Sequence, residues 1–170
     1  MPSCSKNILS NLKQTPISKF LLILKICGRQ GFILAEDLQE SIKELACQFP
    51  PTKGTHGSEV SSKHHVEGAL AHACKGYPDL FAKWLPFLRK EGDLHSTLLY
   101  IMSTLDDTNV YYRKEEKGAQ LVKKEAAHLL EGFSMKDLEA LNKRLIAENI
   151  SPGGCADMLA LTLLVYSFIE

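Results

Sequence analysis

The junction of Ser151-Pro-Gly-Gly-Cys-Ala-Asp157 with Met158-Leu-Ala-Leu-Thr-Leu-Leu-Val-Tyr-Ser-Phe-Ile169 decides the fold class. Serine followed by proline is a common helix opening: an N-cap residue, then a ring whose fixed φ suits the first helical position. The residues beyond form an almost uninterrupted apolar run, without the two-residue alternation of a half-buried strand. Residues 156–169 number 14, short of the roughly 20 needed to cross a bilayer. Asp157 and Glu170 bracket them. The segment reads as a helix buried in a protein core.

The segments upstream read the same way. Residues 17–27 are apolar all round and stop at Gly28, a C-cap signal. Leu34, Leu38, Ile42 and Leu45 recur at helical spacing, giving an amphipathic helix that Pro50-Pro51 ends. Residues 52–64, polar and glycine-containing, read as a long loop. A third helix covers residues 66–74 and closes at Lys75-Gly76, ahead of the Tyr77-Pro78 turn. Leu80, Phe81, Trp84, Leu85 and Leu88 form the stripe of a fourth, and residues 94–105 make a fifth. Residues 115–130 are amphipathic through Ala119, Val122, Ala126 and Leu130. Ser134 and Asp137 form a capping box that opens a helix through Leu138, Leu141, Leu145 and Ile146. No strand pattern and no internal repeat appears. The class is all-α: one domain over residues 1–170, about seven to eight helices packed around the apolar first, fifth and last.

A chain of 170 residues can bury a real core. Lys plus Arg and Asp plus Glu each number 20, so the formal net charge is zero. No global field draws nucleic acid or an anionic membrane, and a charged ligand must be held locally. Residues 1–18 are polar and broken by Pro2 and Pro16, unlike a signal peptide. The cysteines at 4, 27, 47, 74 and 155 lack metal-ligand spacing and read as free thiols of a reducing cytosol, which places the protein in the cytoplasm.

Two polar clusters carry chemistry. Asp106-Asp107-Thr108-Asn109 follows the apolar run that ends at Leu105. One reading is an Asx-type turn after a helix. Against it, two carboxylates at a helix C-terminus face the negative end of the dipole, unfavourable unless a cation offsets them. Mg²⁺ carrying a polyphosphate would do so. Arg113, four residues beyond Asn109, supplies a planar fork for phosphate. In Ser151-Pro-Gly-Gly, two successive glycines exceed what a cap requires and permit close approach of a ligand to the backbone. A phosphate at this helix N-terminus is the expected guest. His56, Glu59 and His64-His65 lack a third ligand at zinc spacing and read as solvated. Cys155 has no base near it in sequence and reads as a packed thiol. Lys123-Lys124 and residues 113–117 read as solvated helix faces.

These clusters resemble the C-terminal part of the triphosphoribosyl-dephospho-CoA synthases. The resemblance lies in Asp106-Asp107-Thr-Asn-Val110 with Arg113, and in Ser151-Pro-Gly-Gly-x-Ala-Asp-Met-Leu-Ala160. It extends back through Gly76-Tyr77-Pro78, Gly68-Ala69 and Thr55-His56-Gly57, covering roughly residues 50–170. It implies a transferase that condenses ATP with 3′-dephospho-CoA and releases adenine. The product is the precursor of the prosthetic group of citrate lyase, or of malonate decarboxylase in a sister branch. On this resemblance Asp106 and Asp107 hold Mg²⁺ or act as base, and Asn109 and Arg113 orient phosphate or ribose. Ser151, Gly153 and Gly154 cradle a phosphate, Asp157 faces the same pocket, and His56 joins the substrate-binding set.

There are departures. Lys13-Gln-Thr-Pro-Ile17 stands where the family carries Asn-Thr-His-Lys-Gly, and family chains extend further at the N-terminus. Gly-Ala-Arg-x-Glu-Ala reads Gly68-Ala-Leu70-Ala-His72-Ala73, and His-Arg-Gly-Gly reads Tyr112-Arg113-Lys114-Glu115. Two expectations result. One is a synthase-type transferase that is truncated or split, requiring an N-terminal half or associating with itself through its apolar first helix. The other is a non-catalytic helical homologue serving as an interaction or nucleotide-binding module.

Overall fold

The computed structural model describes residues 35–48 and 56–169. The expected helix at residues 17–27 and its Gly28 cap lie outside the described residues. Among the described residues eight α-helices and one π-helical turn follow in chain order: α1 (Ala35–Ala46), α2 (His56–His64), α3 (Ala69–Cys74), the π turn (Leu80–Trp84), α4 (Leu85–Glu91), α5 (Leu94–Thr104), α6 (Thr108–Leu130), α7 (Met135–Ala147) and α8 (Gly153–Ile169). Among the described residues there is no strand, so the all-α class stands. No helix among them is long and apolar enough to cross a membrane.

The core runs along α5, which packs against α4, α6 and α8. Leu99, Ile101 and Met102 of α5 meet Val110, Ala119, Val122 and Ala126 of α6 in one buried cluster. Trp84 anchors the far end, fully buried, with its indole Nε1 donating to Thr104 Oγ1 at 3.0 Å. Local signals set the boundaries. Gly92 ends α4 with φ +66°, and Asp93 then caps α5 by accepting from the Ser96 N–H at 2.7 Å. The Ser134–Asp137 capping box forms in both directions and opens α7 as expected.

Four expectations are corrected. Residues 56–64, read within a loop, are helical: Glu59 in the first turn and Lys63 with His64 in the last complement the dipole, and Val60 is buried. The third helix starts at Ala69, three residues later than its pattern suggests, after His65 turns through φ +56°. The fourth is not uniform. Pro86 has no N–H to offer the carbonyl four residues back and its ring crowds it, so the preceding turn widens and the Leu85 N–H donates to Leu80 O instead. The last helix buries Cys155, Thr162 and Val165 along one stripe, whereas Leu164 remains 40% exposed.

The long helix α6 starts at Thr108, seven residues ahead of its amphipathic pattern, and is interrupted at Glu115. There φ is 55° and ψ is −159°, a region that essentially only glycine occupies. In the resemblance noted above, Glu115 stands at the second glycine of His-Arg-Gly-Gly, and its backbone here has a glycine-like shape. Gly118 is buried beside it, and a Cβ there would collide with the Cβ of Lys114. Lys63 of α2 pairs with Glu115 at 2.6 Å outside the bend, an ion pair exposed on both sides and so contributing little. Glu115→Gly is expected to raise stability by about 1 kcal/mol, relief of strain outweighing the added freedom of the unfolded chain. A higher melting temperature in calorimetry checks this.

Candidate functional site

The two polar clusters meet where α6 and α8 begin. Asp107 is the N-cap of α6, and its Oδ1 accepts the Asn109 N–H at 2.8 Å. Its Oδ2 accepts the Cys155 N–H, in the first turn of α8, at 2.9 Å. One carboxylate, 4% exposed, therefore closes the N-termini of two helices. The expectation that the Asp106-Asp107 pair opposes a helix C-terminus is corrected. The C-cap of α5 is Leu105, and Asp107 faces the positive ends of α6 and α8, so its charge is stabilised by the fold itself.

The paired glycines find their reason in the same place. A Cβ on Gly154 would lie 2.9 Å from Asp107 Oδ1, and one on Gly153 would lie 3.1 Å from the Asn109 amide nitrogen. The close approach they allow is that of Asp107 and Asn109. Gly153 is followed one turn later by Asp157, exposed on the same helix face. Cys155 is fully buried, and its thiol is pushed far up by desolvation and by the neighbouring Asp107 charge, which keeps it protonated and unreactive.

Asp106 points elsewhere. It is half-buried, and its Oδ1 accepts the Tyr111 hydroxyl at 3.1 Å and pairs with Lys123 Nζ at 2.7 Å. Lys123, read from sequence as solvated, is thus part of the cluster; it follows the buried Ala119 by four residues, which puts it on the packed face of α6. Arg113, exposed, donates from a guanidinium NH to Asn149 Oδ1 at 3.0 Å, two residues before Ser151. Sequence reasoning missed Asn149, whose φ of +53° closes α7 and turns the chain toward Ser151. His56 opens α2, the helix whose His64 ring tilts against Tyr111 at 5.3 Å.

Burial and the Asp106 charge push the Tyr111 hydroxyl from its ordinary value of 10.0 up to about 12. The folded state therefore favours the protonated phenol. That contribution is complete below about pH 10 and is lost as pH rises through 12. Stability should fall over this window, and Tyr111→Phe should flatten the fall; denaturant melts between pH 9 and 12 check it.

Among the described residues no three His, Cys, Asp or Glu side chains converge as a metal cage. Mg²⁺ arriving with a polyphosphate needs only one or two carboxylates. Asp106 has the accessible edge, whereas both Asp107 oxygens already accept backbone N–H groups. Oxygen donors of this kind suit Mg²⁺. An apolar pocket of about 450 Å³ opens alongside, between α5, α7 and residues 149–152.

The sequence profile of one family, CitG: ATP:dephospho-CoA triphosphoribosyl transferase, matches residues 3–170. The chain belongs to this family. The match reaches further toward the N-terminus than the motifs, which begin near residue 50. Among individual CitG relatives, the probable 2-(5''-triphosphoribosyl)-3'-dephosphocoenzyme-A synthase of Streptococcus mutans is 36% identical over 160 residues, 86% of this chain and 53% of that protein. The protein of the same name from Pseudomonas fluorescens strain Pf0-1 is 33% identical over 132 residues, 69% of this chain and 46% of its own length. The 2-(5''-triphosphoribosyl)-3'-dephosphocoenzyme-A synthase of Pectobacterium atrosepticum is 36% identical over 123 residues, 67% of this chain and 41% of that protein. The chain thus spans about half the length of the CitG relatives it matches. No solved structure matches it.

Proposed function

We propose that the chain is a triphosphoribosyl transferase of the CitG type, joining the ribose of ATP to the 2′-hydroxyl of 3′-dephospho-CoA. The observation that carries this is the convergence of Asn109 and residues 153–155 on one buried carboxylate, Asp107, with Arg113 tied to Asn149 just ahead of Ser151. In the reaction the bond from ribose C1′ to adenine breaks and adenine leaves with its electron pair. The 2′-hydroxyl oxygen bonds to C1′, and its proton is passed on to a base and finally to adenine.

Each residue has a role in that scheme. Arg113, set by Asn149, presents a fork to the triphosphate. The exposed Asn109 amide orients a ribose hydroxyl over Gly153. Asp106, its charge moderated by Lys123 and Tyr111, takes the proton or holds the cation. Asp107 fixes the two helix starts and stabilises positive charge developing at C1′. Ser151 borders the phosphates and Asp157 the same face, while Gly153 and Gly154 serve the site by letting Asn109 and Asp107 close over them; His56 belongs to the binding set through the family motif. Mg²⁺, when bound beside Asp106, would neutralise charge on the triphosphate. Working on two soluble cofactor precursors fits a place in the cytoplasm.

Thermal unfolding tests the binding half of this scheme. Mg·ATP at 100 times its Kd should add about 2.7 kcal/mol of stability. Arg113→Ala should remove most of that gain without lowering the melting temperature of the free protein, because the hydrogen bond it gives up is to an exposed asparagine. No stabilisation by Mg·ATP would count against a transferase and for an interaction module.

A further inference from the structure

We infer that the apolar pocket between α5 and α7 receives the pantetheine arm of the acceptor, dephospho-CoA. This rests on the transferase function proposed above and deepens it by giving each substrate its own side of the site.

The pocket measures about 450 Å³, the size of a small-molecule site. Leu98 and Met102 of α5 and Leu141 and Ile146 of α7 line it, with His95, Asn142, Asn149 and Ser151 as its polar side chains. Ser151 and Pro152, the residues that lead into Gly153 and Gly154, also line it. Asn149 also accepts the hydrogen bond from Arg113, so the pocket and the phosphate-facing side of the site share a residue.

That continuity selects the occupant. ATP is a base, a sugar and phosphates, with no apolar extension. Dephospho-CoA carries a slender arm with a gem-dimethyl group, two amides and a terminal thiol, joined through a diphosphate to the adenosine whose 2′-hydroxyl reacts. With that hydroxyl near Asp106 and the ATP triphosphate at Arg113, the arm of dephospho-CoA would run past Asn149 and Ser151 into the pocket. Asn142 offers both a donor and an acceptor, and Asn149, whose Oδ1 is taken by Arg113, offers its NH₂, which suits an arm of two secondary amides. The pocket also accounts for Ile146, an aliphatic side chain left 67% exposed on its rim.

Calorimetric titration of the full chain with dephospho-CoA, ADP, 4′-phosphopantetheine and Mg·ATP tests the assignment. ADP shares the nucleoside diphosphate of dephospho-CoA and lacks the arm. Dephospho-CoA is expected to bind at least about tenfold more tightly than ADP. Ile146→Asp, at an exposed position, and Asn142→Leu should each remove most of that difference and weaken 4′-phosphopantetheine, with Mg·ATP affinity and melting temperature holding. Equal affinity for dephospho-CoA and ADP, or equal weakening of both by Ile146→Asp, would overturn the assignment. If Mg·ATP binds in that case, only the pocket assignment falls. If neither Mg·ATP nor dephospho-CoA binds, the transferase function falls and the pocket assignment with it.

Discussion

Asp107→Ala is expected to destabilise the protein by about 3 kcal/mol and to abolish turnover. The start of α6 loses its N-cap, typically worth about 1 kcal/mol. The Cys155 N–H is left unpaired in a buried setting, which adds about 1–3 kcal/mol for an orphaned donor. Asp107→Asn should be milder, because an amide oxygen can still accept one of the two N–H groups while its NH₂ opposes the other. Denaturant melts would order the three proteins wild type, Asn, Ala. A loss below about 1 kcal/mol for the alanine variant would mean that the carboxylate is not the link between α6 and α8.

Gly154→Ala is expected to cost about 2–4 kcal/mol, whereas its neighbour Gly153→Ala should stay within about 0.5 kcal/mol of wild type. The two glycines look alike in sequence. The difference lies in what stands over them. A methyl at 154 meets three atoms of the Asp107 carboxyl group at 2.9–3.1 Å, and this short, buried side chain cannot yield without giving up both of its backbone partners. A methyl at 153 meets the end of Asn109, an exposed amide free to swing outward. Because Gly154 and Asp107 act on the same link, Asp107→Ala should recover part of the Gly154→Ala loss. A cycle of the two single variants and the double variant would show them to be non-additive.

Much of the fold could be read residue by residue. Leu38, Ile42 and Leu45 face inward as their spacing requires, and Ser134 with Asp137 opens α7. Trp84 is fully buried, its large apolar surface removed from water and its indole N–H satisfied by Thr104. What was not legible depends on tertiary contact. Residues 56–64 have a loop's composition, and a single buried valine with packing on α6 holds them helical. The π turn left a signal in Pro86, and the bend in α6 left one in Glu115, a side chain standing where the family pattern has glycine.

The candidate site divides the same way. Asp106, Asp107, Asn109, Arg113 and the Gly153-Gly154 pair were visible as motifs. The reason for the glycines was not, since their partner lies 48 residues away for the Cys155 N–H and is a side chain, not a ligand. Lys123 and Asn149 were missed because each is an ordinary surface residue type. Only the folding of α6 against α8 and the loop at 149–152 shows what they touch.

The most direct test of the transferase function is mass spectrometry of the purified chain incubated with ATP, dephospho-CoA and Mg²⁺. The expected result is free adenine and a triphosphoribosyl-dephospho-CoA product in equal amounts, both lost in Arg113→Ala. Folded protein that releases no adenine, or releases it equally without dephospho-CoA, would contradict the proposed function.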